Sequence, residues 1–215
     1  MYKLYAAYGT MGLPAHITLE ALNVPYEIKY LDLAAGEQKS PEYLKINPNG
    51  RVPALVLEDG QVIYESSAVL LTLADAHPEA GLSPRLNDPR RPIFLQWMFF
   101  LTNSLQDAML NSHYPARLVG DVSEEVSGIV SKGAMRQAKH YLEIIEDYLA
   151  QHGPYFLGDK VSVADFHFSL CCRALRSSSV PPRSFPHIAG LLDKIDRLPY
   201  VQRALKQEHL EGPLA

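Results

Sequence analysis

The amino-acid sequence predicts a small mixed α/β domain followed by an all-helical domain. Three observations support this prediction: strand and helix patterns alternate up to residue 76, proline and glycine are concentrated in residues 78–92, and only helical patterns follow. The chain has 215 residues, of which 47% are hydrophobic and 20% are charged. This length and composition are those of a globular protein that buries a substantial core.

The first elements form a strand–helix–strand unit. Residues 3–7 are predicted as a strand, residues 13–22 as a helix, and residues 27–31 as a second strand. Two strands that are joined by a crossover helix lie parallel in one sheet. This part of the chain is therefore predicted as a βαβ unit.

The next elements add a helix, a hairpin and a final helix. Residues 41–46 are predicted as a short helix, 54–58 and 61–65 as strands around an Asp-Gly turn, and 66–76 as a helix. The order βαβ, α, ββ, α predicts a small mixed sheet with helices packed on it. We expect this domain to cover residues 1–78.

The breaker-rich segment, residues 79–91, is predicted as a linker because neither helix nor strand tolerates so much proline. The helical domain is expected at residues 92–215. Its first helix, 94–105, is apolar nearly all round, and residues 126–149 form a long amphipathic helix.

Two further helices are predicted in the helical domain. Ser162 and Asp165 resemble a capping box that opens the first of them. Apolar residues at 188–195 mark a last long helix, which Pro199 breaks.

Charge and targeting signals exclude several classes of function. The net charge of −4 and the pI of about 6.1 leave no basic surplus for nucleic acid. The first residues lack the pattern of a secretory signal, and no apolar run is long enough to span a membrane. We therefore expect a cytoplasmic protein, in which the adjacent Cys171 and Cys172 are reduced core residues.

Strong catalytic and metal-binding signatures are absent. The sequence contains no phosphate-binding P-loop, no GxSxG, no CxxC and no HExxH. The eight histidines are scattered, and His16 with Glu20 is only an i, i+4 pair on the first helix. No metal is predicted.

Two dipeptides in residues 47–75 suggest a binding site. A proline directly before a strand indicates either an edge strand or a cis peptide bond. If the Val52-Pro53 bond is cis, the backbone N–H and C=O of Val52 are presented to an extended peptide ligand. Ser66 is either only a helix N-cap or, together with Glu65, a site for both ends of an amino acid.

These segments carry a resemblance to a known family. NPNGRVPAL at 47–55 and YESSAVLLTLAD at 64–75 resemble, in order and spacing, the N-terminal domain of cytosolic glutathione transferases of the bacterial type. GDKVSVADF at 158–166 resembles a motif of the family's second domain. The resemblance spans the chain and implies a thioredoxin-like first domain that holds glutathione.

The resemblance also implies the contacts to glutathione. Val52 pairs with the cysteinyl part, Pro53 is cis, and Glu65 with Ser66 holds the γ-glutamyl end. The glycine carboxylate is expected to contact one or more residues of the segments that contain Gln38, Lys39 and Arg51.

The turn after the first strand departs from the common bacterial pattern. Met11 occupies the place of a catalytic cysteine, and Gly12 that of a neighbouring serine. Thr10 and Tyr8 supply the nearest hydroxyls, and the N–H groups of Met11 and Gly12 are a third possibility. We predict that Thr10, unless it serves only as a helix N-cap, stabilises the thiolate, and that the Tyr8 ring walls the second pocket.

The pocket for the electrophilic substrate is expected from both domains. Gln106 and Asp107 stand where some relatives carry a basic pair. The predicted lining residues combine apolar and polar side chains: Tyr8, Met11, Phe99, Phe100, Asn103, Gln106, Met109, His113 and Tyr114.

The predicted function is that of a glutathione transferase acting in detoxification, as a homodimer. One alternative is a protein that binds glutathione without turnover, since fold and function separate readily. Others are an isomerase, dehalogenase or peroxidase that uses glutathione.

Overall fold

The computed structural model describes all residues from Met1 to Ala215. The chain divides into two compact units: the first comprises Met1–Arg91 with Ile195–Leu214, and the second Pro92–Lys194 with Ala215. The domain bounds 1–78 and 92–215 remain a prediction. None of the helices combines the length and the apolar character needed to cross a membrane.

The first unit contains a four-stranded sheet in the order β2-β1-β3-β4. The strands are β1 (Tyr2–Ala6), β2 (Tyr26–Tyr30), β3 (Ala54–Val56) and β4 (Val62–Tyr64). β1 pairs with β2 in parallel, whereas the β1–β3 and β3–β4 pairs are antiparallel. The helices of this unit are α1 (Leu13–Leu22), α2 (Pro41–Leu44), α3 (Ser66–Ala76) and α10 (Pro199–Gln207). The predicted mixed sheet with packed helices is confirmed.

The strand register places three connections at the same end of the strands, which forms one rim of the sheet. Tyr5 of β1 lies opposite Ala54 of β3, and Ala54 lies opposite Tyr64 of β4. The end of β1, the start of β3 and the end of β4 therefore coincide. The turn after β1, the Val52-Pro53 peptide and the start of α3 meet at this edge, which we call the ligand edge.

Both strands of the hairpin are shorter than the predicted 54–58 and 61–65. The N–H of Leu57 bonds to the carbonyl of Gln61 at 2.8 Å, so the turn already begins there. At the other end Glu65 has φ of 74°, a value that no regular strand residue adopts.

The second unit is helical, as predicted, around a core that includes the fully buried Phe94 and Met98. The predicted helix 94–105 changes to a π-helix at Leu101–Gln106 and then continues to His113. The helical elements are α4 (Arg91–Phe100), the π-helix, α5 (Asp107–His113), α6 (Ala116–Val119), α7 (Glu124–His152), α8 (Val163–Leu175) and α9 (Pro186–Asp196).

The predicted capping box at the start of α8 is present. The Asp165 carboxylate accepts hydrogen bonds from the Ser162 N–H at 2.7 Å, the Ser162 hydroxyl at 2.8 Å and the Phe156 N–H at 3.0 Å. Complete burial nevertheless raises the pKa of Asp165 to about 6, against the lowering effect of these bonds.

Pro199 begins a helix rather than ending one. α9 stops at Asp196, and Pro199 is the first residue of α10, a position where its missing N–H costs nothing. α10 packs against α1 in the first unit. The sequence prediction missed this helix, which directly precedes Glu208, a residue of the candidate site.

Candidate functional site

A tight turn follows β1 at the ligand edge. The N–H of Thr10 bonds to the Ala7 carbonyl at 3.3 Å, and the Thr10 hydroxyl donates to the same oxygen at 2.7 Å. Gly9 has φ of 65°, which favours glycine. The N–H of Leu13 bonds to the Thr10 carbonyl at 2.9 Å and leads into α1. Thr10, half-buried, is thus held between strand and helix.

Met11 and Gly12 follow in the same turn. The N–H of Met11 makes no hydrogen bond within the chain, whereas that of Gly12 approaches the Thr10 hydroxyl oxygen at 3.4 Å. A Cβ atom at Gly12 would lie 2.6 Å from the Cβ of Ala6. This contact explains why the chain has no serine here: with α1 this close to β1, only glycine fits.

Glu208, which follows α10, binds the turn after β1 through its side-chain carboxylate. Its Oε2 accepts a hydrogen bond from the N–H of Gly9 at 2.7 Å, and its Oε1 lies 3.0 Å from Nδ1 of His16. Both side chains are fully buried. His16 Nε2 faces Oε1 of Gln207 at 2.9 Å, so both ring nitrogens face acceptors. His16 therefore pairs with Glu208 and not with Glu20, its i, i+4 neighbour.

The Val52-Pro53 peptide is cis, as predicted. The preceding carbonyl, of Arg51, accepts hydrogen bonds from the Tyr43 hydroxyl and the Asn47 side-chain amide, each at 2.7 Å. The N–H and C=O of Val52 itself make no hydrogen bond within the chain. Val52 therefore offers a free donor and a free acceptor at the ligand edge.

Glu65 and Ser66 lie beside Val52 across the hairpin. Glu65 is exposed and has φ of 74°, an unfavourable value for a residue with a side chain. Asn49 donates to its carboxylate at 3.5 Å. Ser66 is the first residue of α3, and its hydroxyl makes no hydrogen bond within the chain. A carboxylate and the first turn of a helix thus lie together.

Lys39 and Arg51 bring positive charge to the same region. The Lys39 ammonium donates to the Asn49 carbonyl at 3.2 Å, and a Cβ at Gly50, which has φ of 57°, would lie 2.8 Å from Lys39 Nζ. The Arg51 side chain is exposed. Gln38 donates its amide to the Leu33 carbonyl at 3.4 Å, and its Oε1 is buried without a hydrogen-bond partner.

Tyr8 lies on the other side of the turn. Its ring stacks on Tyr30 with 4.0 Å between ring centroids, and about half of its surface is exposed. Both rings line a cavity of about 660 Å³ together with Thr10, Asp32 and Glu37. Because two carboxylates line this cavity, it disfavours a ligand carboxylate. The stacking on Tyr30 fixes the plane of the Tyr8 ring. The roles of Tyr8 and Thr10 toward a ligand remain a prediction.

The residues predicted for the second-substrate pocket are divided between the units. Met11 and Tyr8 belong to the first unit. The remaining residues belong to the second: Phe99, Phe100, Asn103, Gln106, Met109, His113 and Tyr114. A pocket made from both sets remains a prediction.

Asn103 and Gln106 both lie in the π-helix, with Asn103 exposed and Gln106 half-buried. His113 and Tyr114 are exposed at the end of α5, and Met109 is buried.

The cysteines and acidic groups form no second reactive centre. Cys171 and Cys172 are free and fully buried, and burial raises the pKa of the Cys171 thiol to about 12. No group of three or more His, Cys, Asp or Glu side chains has the arrangement of a metal site.

Sequence analysis missed two residues of the site. Glu208 is far in sequence from the turn that it binds. A single carboxylate near the C-terminus has no sequence pattern that indicates this contact. Asn49, which bonds to Glu65, is predicted from the sequence only as part of a turn. The position of Asn49 in sequence, close to the Val52-Pro53 motif, is a signal that could have placed it in the candidate site.

Comparisons with known proteins agree with this architecture. Residues 12–76 match the family model "Glutathione S-transferase, N-terminal domain", and residues 125–208 match "Glutathione S-transferase, C-terminal domain". Glutathione S-transferase GstA of Escherichia coli O157:H7 is 26% identical over 210 residues, covering 97% of this chain and 100% of that protein.

Two further proteins share most of their length with this chain. A zeta-class glutathione S-transferase of Euphorbia esula is 30% identical over 225 residues, covering 99% of this chain and 94% of that protein. The crystal structure of a glutathione transferase homologue from Sulfitobacter with bound glutathione superposes with a TM-score of 0.88 and 28% identity, covering 98% of this chain and 99% of that one.

Proposed function

Because the chain belongs to the glutathione S-transferase family, we propose that it binds glutathione at the ligand edge, stabilises its thiolate and catalyses the attack of that thiolate on an electrophilic small molecule. The main support is the free backbone of Val52 between Glu65–Ser66 and the turn at Thr10. The charged pair, the free backbone and the turn match, in turn, an amino-acid end, a peptide backbone and a thiol, which are parts of glutathione.

The cysteinyl part of glutathione pairs with Val52. An extended peptide can pair with a stretch of free backbone through main-chain hydrogen bonds, as it does when it adds a strand to a sheet. Val52 offers one N–H and one C=O that the chain leaves unused. Two such bonds fix the direction of the peptide and place its thiol toward the turn after β1.

The γ-glutamyl end binds to Glu65 and Ser66. The Glu65 carboxylate holds the ammonium group, and the Ser66 hydroxyl with the first N–H groups of α3 holds the carboxylate. A helix N-terminus attracts anions because its N–H groups lack partners and its dipole is positive there. The strained φ of Glu65 is the kind of backbone feature that is concentrated at ligand-binding sites.

The glycine carboxylate is held by Lys39 and Arg51. Both cations belong to the segments that meet at Gly50, near Val52. Gln38 contributes less, since its amide nitrogen is already bonded to Leu33. This choice between the three predicted residues follows from their hydrogen bonds.

Thr10 stabilises the thiolate. A free thiol has a pKa of about 8.5, and lowering it by two units requires about 2.7 kcal/mol in favour of the anion. A hydrogen bond to a charged group contributes about 1.5–3 kcal/mol, more than the roughly 0.5–1.5 kcal/mol of a neutral one. The Thr10 hydroxyl therefore gains by turning from the Ala7 carbonyl to the thiolate. The unused N–H of Met11 is the second donor.

The chemical step needs no general base beyond solvent. The thiol proton leaves to water, and a sulfur lone pair forms a bond to the electrophilic carbon. The bond from that carbon to a leaving group, such as halide, breaks and the group departs with the electron pair. The product is a thioether, and no covalent enzyme intermediate forms.

Three assays with glutathione test this proposal: conjugation of 1-chloro-2,4-dinitrobenzene, reduction of a peroxide and reduction of a disulfide. We expect conjugation, and no disulfide reduction because the turn has no cysteine. Peroxide reduction without conjugation would show that the protein is a glutathione-dependent peroxidase instead.

A protein that binds glutathione without turnover is the second candidate. It is favoured by one observation, the bond of the Thr10 hydroxyl to the Ala7 carbonyl. Glutathione binding with all three activities absent would establish it.

A further inference from the structure

Of the residues that line the cavity beside Tyr8, only Thr10 has a role in the proposed binding of glutathione. The cavity has a volume of about 660 Å³, which lies within the range of about 300–1,000 Å³ that is typical of small-molecule sites. Its whole lining belongs to the first unit: Ala7, Tyr8, Thr10, Tyr30, Leu31, Asp32, Leu33 and Glu37. A ligand in this cavity therefore contacts the same turn as the proposed thiolate.

Two stacked tyrosines form one wall of the cavity. The centroids of the Tyr8 and Tyr30 rings are 4.0 Å apart, and the interplanar angle is 17°. Tyr30 covers one face of Tyr8, whereas about half of the Tyr8 surface is exposed. The His209 ring lies 5.9 Å from Tyr8 but is tilted by 55°, so it does not stack flat on this ring. The exposed part of the Tyr8 ring is suited to an organic cation, because the face of an aromatic ring attracts positive charge.

Two carboxylates line the same cavity, and the loop after β2 fixes their positions. Oδ1 of Asp32 accepts hydrogen bonds from the N–H groups of Ala34 and Ala35 at 2.9 and 3.0 Å. Oε2 of Glu37 accepts the N–H of Asp32 at 2.8 Å. The second oxygen of each carboxylate makes no hydrogen bond, and neither carboxylate forms an ion pair within the chain. The cavity therefore carries two negative charges that the chain does not balance.

The neighbouring basic side chains do not neutralise these charges. Lys29 lines an adjacent cavity of about 400 Å³ together with Glu37, but its ammonium lies over the Tyr5 ring, 6.0 Å from the centroid, and forms no ion pair. Lys39 and Arg51, the proposed partners of the glycine carboxylate, do not line the cavity beside Tyr8. Because opposite charges attract more strongly where water is partly excluded, the cavity favours a positively charged ligand.

We infer that this cavity holds a positively charged group of the second substrate, and that the preferred electrophiles carry an ammonium group. Asp32 and Glu37 are its specificity-determining residues, and Tyr8 supplies the ring surface. This inference rests on the proposed function, because the cation has to lie beside a thiolate that is held at Thr10. It adds the charge of the electrophile, which the proposed function leaves open.

Two glutathione conjugates test the inference by calorimetry, without any need for turnover. S-(4-trimethylammoniobenzyl)glutathione and S-(4-tert-butylbenzyl)glutathione have the same shape and differ only in a quaternary nitrogen replaced by carbon. The readout is the ratio of their affinities, which cancels the contribution of the glutathione part. At low ionic strength the wild type should bind the ammonium conjugate more tightly, by about threefold or more, and added salt should reduce this preference.

Amide variants remove the negative charges but keep the loop. Asp32→Asn and Glu37→Gln retain the acceptors for the backbone N–H groups, and each should lower the ammonium-to-butyl ratio by about twofold to fivefold. The double variant should lower it by about fivefold to tenfold. Asp59→Asn is the matched control, because Asp59 is exposed in the hairpin turn and likewise accepts a backbone N–H, that of Gln61, at 2.9 Å. This control should leave the ratio unchanged.

A second pair of variants tests the ring of Tyr8. Tyr8→Phe keeps an aromatic face and should keep the ratio. Tyr8→Leu removes this face and should lower the ratio by about twofold to fivefold. An equal loss in both variants would remove the ring face from the cation site.

Two kinds of result would overturn the inference in different ways. A wild type that prefers the tert-butyl conjugate, or a ratio that the double variant leaves unchanged, would exclude the cation site; normal affinity for glutathione would leave the proposed function intact. Failure of the wild type to bind glutathione itself would contradict the proposed function, and the inference with it.

Discussion

The buried carboxylate of Glu208 accepts a hydrogen bond from the N–H of Gly9 at 2.7 Å, one residue before Thr10. The other oxygen of the same carboxylate pairs with His16, so one group joins the turn, α1 and the segment after α10. This anchor holds the candidate thiolate-binding turn through the backbone of Gly9. The site therefore depends on a residue nearly two hundred positions away in the chain.

Removal of the Glu208 carboxylate should destabilise the protein. Glu208→Ala leaves His16 and the Gly9 N–H buried without their partner, a loss that typically costs about 3–5 kcal/mol. Denaturant unfolding measures it. Glu208→Gln keeps an acceptor for Gly9 and should lose less. Glu211→Ala, an exposed carboxylate nearby, is the matched control; equal stability of Glu208→Ala and Glu211→Ala would refute the anchor.

Glu65 should be the main determinant of glutathione affinity. Glu65→Ala removes the partner of the ligand ammonium and should weaken binding by about 2 kcal/mol or more, roughly thirtyfold. Calorimetry with glutathione measures this change. Glu58→Ala removes an exposed carboxylate beyond the opposite end of β3 and should leave affinity unchanged. Wild-type affinity in Glu65→Ala would exclude this residue from the site.

His167 should make stability depend on pH. Complete burial lowers its pKa to about 4 in the folded chain, against about 6.5 for an unfolded histidine, so between these values only the unfolded chain binds the proton. Stability is therefore present above pH 6.5 and is lost as the pH falls toward 4, by about 1.4 kcal/mol per unit and about 3 kcal/mol in all.

The variant His167→Gln isolates this effect, because Asp165, whose raised pKa acts in the same range, is common to both proteins. Unfolding should be compared at pH 7, 5.5 and 4.5. The difference in stability between wild type and variant should narrow or reverse as the pH falls. Parallel stability curves would show that the ring has the same pKa in the folded and the unfolded chain, which would contradict the lowered pKa.

We expect a symmetric homodimer. Phe99 on α4 is 55% exposed and Ile144 on α7 is 37% exposed, which are large apolar surfaces for helices of a monomer. A two-fold interface buries the same patch on both subunits. Sedimentation at micromolar concentration should show a dimer, and Ile144→Glu should reduce it. A wild-type monomer would contradict this prediction.

Local patterns predicted most of the fold. The βαβ unit, the hairpin and the helix after Glu65 were read from alternation and turn residues, which depend on near neighbours. The capping box at Ser162 and Asp165 was found for the same reason. The sequence does not predict α10, because Pro199 after the apolar residues 188–195 indicates the end of a helix, whereas in the structure it begins one. The π-turn at Leu101–Gln106 has no sequence signal, since its hydrogen bonds depend on packing.

The residues proposed to bind glutathione carry a clearer sequence signal than the residues that support the proposed thiolate-binding turn. Val52, Glu65 and Ser66 follow from a motif in one stretch, and the register of β3 and β4 brings them together. Glu208 acts across a long separation in sequence, so no local pattern reveals it. The bond from the Thr10 hydroxyl to the Ala7 carbonyl joins residues only three apart, but it depends on the conformation of the turn, which no sequence pattern here predicts.

Thr10 should contribute most of the thiolate stabilisation. Thr10→Ala should raise the pKa of bound glutathione by about one unit and lower the conjugation rate by about one decade. The bond to the thiolate, about 1.5–3 kcal/mol, replaces the bond to the Ala7 carbonyl, about 0.5–1.5 kcal/mol, so only the difference stabilises the thiolate. Thr10→Ser keeps the donor and should retain most activity. An unchanged pKa in Thr10→Ala would transfer the role to the N–H of Met11, and a change only in Tyr8→Phe would transfer it to the phenol.

The pKa of the thiol of glutathione bound to the wild-type protein tests the central claim most directly. Thiolate absorbance is followed in the ultraviolet as the pH is varied, with saturating protein and with free glutathione as the reference. The proposed site predicts a midpoint about two units below the value of about 8.5 for a free thiol. A bound thiol that titrates at the same pH as free glutathione would contradict it.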